Sequence, residues 1–169
     1  MLNFIFAHAA KSAAESIIDN YIRDTVTPQA GCVVYCDLGS VVEHTGIYVG
    51  NGEIIHLDGS GLIEKVSANK FIRRLGGLNP AQTIYVSCRG EKPTGSVEAS
   101  RMASSMLYSQ YNYCVFSNNC HQFTSSCFTG NSENSDRFFM LLTETLRKEI
   151  EFDNWRAWDR SQNYFGYLP

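Results

Sequence analysis

The stretch His44-Thr45-Gly46-Ile47-Tyr48-Val49-Gly50-Asn51-Gly52-Glu53-Ile54-Ile55-His56-Leu57 carries the first reading of the fold. Two runs rich in β-branched and apolar residues flank a Gly-Asn-Gly turn, which reads as a β-hairpin with strands over 44–49 and 53–57. Strand side chains alternate, so parity decides whether the two histidines share a face. A two-residue loop, Asn51-Gly52, pairs Gly50 with Glu53 and sets His56 opposite Ile47, away from His44. A three-residue loop, Gly50-Asn51-Gly52, pairs Val49 with Glu53, sets His56 opposite Gly46 and His44 opposite Asp58, and brings both imidazoles to one side. That version wants Gly52 at positive φ, where glycine meets no steric penalty. It also puts Thr45, Ile47 and Val49 on one face with Ile55 and Leu57, and leaves room at Gly46 beside His56. Local sequence allows both loops. Glu43 adjoins His44, but alternation turns it to the opposite face.

Outward from the hairpin, residues 32–38 and 82–88 read as further strands, and Asp58-Gly59-Ser60-Gly61 as a turn. Residues 9–24 read as a helix with Ala13, Ile17, Ile18, Tyr21 and Ile22 on one stripe. Ser67 suits the cap of a short helix through Arg74. Residues 96–108 and 119–128 also read as helical. A last amphipathic helix over 136–150 turns Phe138, Leu141, Leu142, Leu146 and Ile150 toward a core. The segment after Phe152 holds Trp155 and Trp158 and is too aromatic for a linker. The expected class is α+β, a small antiparallel sheet with a helix packed on it.

At 169 residues the chain is expected to form one domain with its own core. Hydrophobic residues at 44% and charged residues at 18% exclude a disordered chain. Lys and Arg total 14 against 17 Asp and Glu, a net charge of −3, which argues against a binder of nucleic acid resting on a basic surface. No apolar run reaches the length of a membrane span, and the opening MLNFIFAHAA lacks the basic residue of a secretory signal. Six cysteines in such a chain are read as reduced thiols in the cytoplasm. Neither a CxxC nor an HxxxH pair is present, so no metal is expected.

Asn119 precedes a helical stretch and suits an N-cap, which puts Cys120 in the first turn. There the helix dipole favours a thiolate, and free N–H groups suit a developing oxyanion. The competing reading is a buried structural cysteine, and for Cys120 the two stand about even. Cys32, Cys36, Cys88, Cys114 and Cys127 take the structural reading. His121, next to Cys120 on the helix, projects about 100° away and is not expected to face the thiol.

Three motifs taken together, His44 through Gly52, Ile54-Ile55-His56-Leu57 and Asn119-Cys120-His121-Gln122-Phe123, resemble the lecithin retinol acyltransferase (LRAT) family. Those proteins carry an H-W-A-I-Y-V-G-type strand, a V-H-L-type strand and an N-C-E-H-F box. The resemblance spans roughly residues 28–130 and implies the circularly permuted papain-like fold shared with NlpC-type peptidases. It divides the chain into an N-terminal helix (1–27), a catalytic domain (28–130) and a C-terminal helix with aromatic tail (131–169) packing on the same domain. It implies Cys120 as nucleophile, His44 as general base and His56 as the group that orients His44, with Asp58 as runner-up. By analogy it favours the three-residue loop. The implied chemistry is acyl transfer or hydrolysis through a Cys120 thioester, of phospholipase A or N-acyltransferase type, and it needs no cofactor. A lipid acyl donor and transient contact with a membrane surface go with it. The rivals are an NlpC-type cysteine peptidase or amidase and a catalytically silent binding module. Two departures from the motifs stand out: Thr45 where an aromatic is common, and His121-Gln122 in place of Glu-His.

Overall fold

The computed structural model describes residues 25–38, 42–73, 83–112, 114 and 119–160. The expected helix over 9–24 lies outside them. In chain order the elements are β1 (Val33–Leu38), β2 (Val42–Gly50), β3 (Glu53–Leu57), β4 (Ile63–Ser67), α1 (Ala68–Ile72), β5 (Tyr85–Arg89), β6 (Lys92–Pro93), α2 (Val97–Ser105), α3 (Cys120–Thr129), α4 (Phe139–Glu149) and β7 (Asn154–Ala157). The class is α+β. One seven-stranded sheet runs β4-β3-β2-β1-β5-β6, with β7 also pairing β5, and its pairs are antiparallel.

Both faces of the sheet are covered. Val33, Ile47, Ile55, Leu57 and Ile63 point to a core shared with Ala99 and Ala103 of α2, Phe123 and Cys127 of α3, and Leu142 and Leu146 of α4. Val34, Cys36, Tyr48, Ile54 and Val66 point the other way, to Phe71 and Ile72 of α1 and to Trp158. Burial on both faces is why β1 reads as a continuous apolar run instead of an alternating one. The stretch 152–158 is tied in through β7, whose Trp155 sits edge-on to Tyr35 at 4.8 Å between ring centroids. Helix α4 buries Leu142 and Leu146 as its periodicity requires, but Phe138 does not follow. It stands at the helix N-cap and is 60% exposed, because the helix begins one residue after it.

The β2–β3 hairpin has neither of the two simple loops. Gly50 pairs with Glu53 across a two-residue turn, yet Tyr48 pairs with Ile54. Val49 is therefore an extra residue on β2, a bulge that shifts the register by one. Asn51 at φ 53° and Gly52 at φ 75° carry the positive φ of a type I′ turn, which suits the twist of the strands. Beyond the bulge the register equals that of the three-residue loop, so His56 faces Gly46. A methyl group on Gly46 would stand 2.7 Å from Ile54 Cγ2, 2.9 Å from the Ile55 carbonyl oxygen and 3.0 Å from His56 Cβ. The position thus admits only glycine without displacing β3.

Gly46→Ala is expected to destabilise the fold by about 1–3 kcal/mol through overpacking. Urea unfolding measures this, and an unchanged midpoint would mean that β3 yields freely.

Candidate active site

His44 enters the site from the middle of β2 and His56 from β3. His44 Nε2 lies 3.1 Å from His56 Nδ1, and the rings meet edge-on. His44 is 4% exposed and His56 is fully buried. Phe71 of α1 lies over both rings, at 5.0 and 5.5 Å between centroids. Across the next strand pair, His56 faces Glu64 of β4. His56 Nε2 is 3.5 Å from Glu64 Oε1, and Glu64 Oε2 accepts from Lys70 Nζ at 2.8 Å. A polar line thus crosses the sheet from His44 through His56 to Glu64 and ends at the surface lysine. Asp58, the alternative orienting group, uses Oδ1 to hold the β3–β4 turn, accepting from the N–H groups of Ser60 at 2.7 Å and Leu62 at 3.1 Å.

Cys120 opens α3, and its N-cap is Asn119, as the sequence suggests. The Asn119 side-chain oxygen accepts from the N–H groups of His121 at 3.0 Å and Gln122 at 3.2 Å. Those two N–H groups serve the cap, so they are not at hand for an oxyanion. The Asn119 amide donates to the Arg137 carbonyl at 2.7 Å, which fixes the start of α3 to the segment leading into α4. Cys120 Sγ meets β2 at the Glu43 carbonyl oxygen, 4.0 Å away and one residue before His44. The Cys120 turn therefore sits against the strand that supplies His44, and Cys120 is 3% exposed.

His121 departs from expectation. Its Nδ1 is 4.0 Å from Cys120 Sγ, so the ring does reach the thiol. The cause is a contact at 3.2 Å with Thr45 Oγ1 on β2, which draws the ring toward the strand. Thr45 Oγ1 is also 3.1 Å from Thr124 Oγ1.

Residues 27–133 match the family model of lecithin retinol acyltransferase, well over half of the chain. The chain belongs to the LRAT family. A search of curated proteins found no match. The family's fold context is the permuted papain-like NlpC group, and membership supports an activity of acyltransferase or hydrolase type.

The other thiols of this LRAT-family chain differ sharply in surroundings. Burial raises Cys32 to a pKa of about 11, Cys88 to about 11 and Cys127 to about 12, so all three are protonated and inert at neutral pH. Cys36 is buried beside Phe71. Cys114 is exposed, contrary to the structural reading. A small cleft of about 30 Å³ runs beside α3 between Leu57, Met106, Tyr111, Gln122 and Ser126; Asn119 borders it, but Cys120 does not. Glu64 and Thr124 lie outside the motif strings, and Thr45 enters them only as a departure. Glu64 follows only once β4 is known to pair with β3.

Burial also pulls His121 down from 6.5 to a pKa of about 4. The unfolded chain then binds the proton more readily than the folded one. Stability is unaffected above pH 6.5 and falls as the pH drops from 6.5 toward 4, by about 3 kcal/mol in all. Between pH 7 and pH 4.5, wild type should lose about 2–3 kcal/mol more than His121→Asn in urea unfolding. Parallel losses would show that His121 is not the group responsible.

Proposed function

We propose that the protein is a thiol acyltransferase or acyl hydrolase that acts through a thioester on Cys120 and draws its acyl group from a lipid. The observation that carries this reading is the buried His44–His56 pair at 3.1 Å, with His44 on β2, the strand whose Glu43 carbonyl Cys120 meets. Family membership supplies the reaction type.

Cys120 Sγ attacks the carbonyl carbon of an ester or amide. His44 takes the thiol proton and returns it to the leaving oxygen or nitrogen as the carbon–heteroatom bond breaks. Water then hydrolyses the thioester, or an amine or alcohol accepts the acyl group. The polar line explains how His44 is held as a base. With its proton on Nε2 toward Glu64, His56 presents the Nδ1 lone pair to His44 Nε2–H. That tautomer leaves the His44 Nδ1 lone pair as the proton acceptor for the thiol. The six free thiols fit a reducing compartment, in line with a cytoplasmic enzyme. Among the described residues, no helix is long and apolar enough to cross a membrane. Contact with lipid is taken to occur at a membrane surface.

The test is intact-protein mass spectrometry after mixing with phosphatidylcholine vesicles or with an N-acyl peptide. An acyl adduct on Cys120 from the phospholipid is the expected result. An adduct from the peptide alone would turn the reading to a peptidase or amidase. No adduct and no turnover of either would favour a silent binding module. Cys120→Ala should abolish turnover, and His44→Ala should lower it by about 10²–10⁴-fold. His56→Ala should cost less than His44→Ala, because it acts through that ring.

A further inference from the structure

We propose that Thr45 and His121, backed by Thr124, form a polar clamp that sets the distance between β2 and α3 and so act as positioning residues for the Cys120–His44 pair. The proposal rests on the assignment of Cys120 and His44 made above. At the interface between β2 and α3, apolar contact comes from Ile47, Phe123 and Cys127, and Cys120 meets the Glu43 carbonyl at its edge. Within it lie three buried polar side chains: Thr45, His121 and Thr124. Apolar packing is non-directional and lets a helix slide along a sheet by fractions of an ångström. Hydrogen bonds with defined angles do not.

The clamp stands one residue on from the reacting groups on both elements. Thr45 follows His44 on β2, and His121 follows Cys120 on α3. A Thr45–His121 contact of 3.2 Å therefore fixes the relative height of the two residues just before them. The Thr45 hydroxyl has one proton and two lone pairs, so it can donate to His121 Nδ1 while accepting from Thr124. The same Nδ1 lies 4.0 Å from Cys120 Sγ, which ties the clamp to the thiol directly. Burial keeps the imidazole neutral, so the clamp adds no charge to the interface. Thr45 and His121 are also positions at which the chain departs from the family's motif strings. In space these two departures are each other's partners.

The test uses the full-length protein, p-nitrophenyl butyrate as ester probe, and iodoacetamide labelling of Cys120 followed by peptide mass spectrometry. Thr45→Val keeps the shape and removes the hydroxyl. It should lower both turnover and the labelling rate at Cys120 by tenfold or more, since misplacement of reacting groups on the ångström scale costs on the order of 10²-fold. Thr45→Ser keeps the hydroxyl, removes the methyl group, and should restore most of the loss. Wild-type rates in Thr45→Val, or equal losses in Thr45→Val and Thr45→Ser, would overturn the clamp. If Thr45→Val does not fold, Thr124→Val reads the same network, and wild-type rates there would also overturn it. Cys120→Ala and His44→Ala run alongside. Turnover that survives in Cys120→Ala refutes the assignment of the nucleophile, while inactive Cys120→Ala with wild-type Thr45→Val refutes the clamp alone.

Discussion

Two imidazoles can lie 3.1 Å apart inside a sheet only if their strands are paired so that both rings emerge on one face. Much of the site depends on that pairing. It needs the bulge at Val49, which restores the parity that the two-residue turn would spoil. It needs Gly46, because a methyl group there would press on His56 and Ile54. It brings Phe71 over the rings, shielding them from water and strengthening their mutual contact. It also sets His56 opposite Glu64, whose carboxylate lies 3.5 Å from His56 Nε2. Which polar partners each imidazole meets thus follows from a count of residues in a hairpin.

Helix α3 reaches the same strand from the other face. Residues Cys120 through Cys127 are all buried, since the sheet lies beneath α3 and α2 and α4 flank it. So enclosed a helix needs partners for its polar side chains. Ser125 donates to the buried Asp136 carboxylate at 2.7 Å, and Thr145 of α4 donates to the same oxygen at 2.5 Å. Gly130 closes the helix in the left-handed conformation, which glycine adopts without strain. The cap, the carboxylate and the threonine cluster hold α3 at its start, its far side and its contact with β2. An apolar helix of the same length would have none of these fixed points.

The hairpin and the cap were legible because each is a local signal: alternation with a Gly-Asn-Gly turn in one case, and an asparagine before a helical stretch in the other. The bulge was not, since it changes pairing without changing composition. β4 escaped because Ile63 and Val66 go to opposite cores, which destroys the alternation that marks a half-buried strand. With β4 went Glu64. Phe138 was assigned inward from its place on a helical stripe, but the helix starts after it and its ring faces out. The reach of His121 to the thiol was missed for a different reason. The 100° step between neighbours holds for the backbone, while a long side chain drawn by a hydrogen bond can cross it.

Hairpin tips are ordinarily where a lineage gains or loses residues at little cost. The Val49 bulge removes that freedom here. A single insertion or deletion between Gly46 and His56 would swap the faces of the two imidazoles while leaving the strands intact and the hairpin well formed. Only paired changes, or one change matched by loss or gain of the bulge, keep the rings together. The length of this tip is thus constrained modulo two, and descendants should vary in its composition far more readily than in its parity.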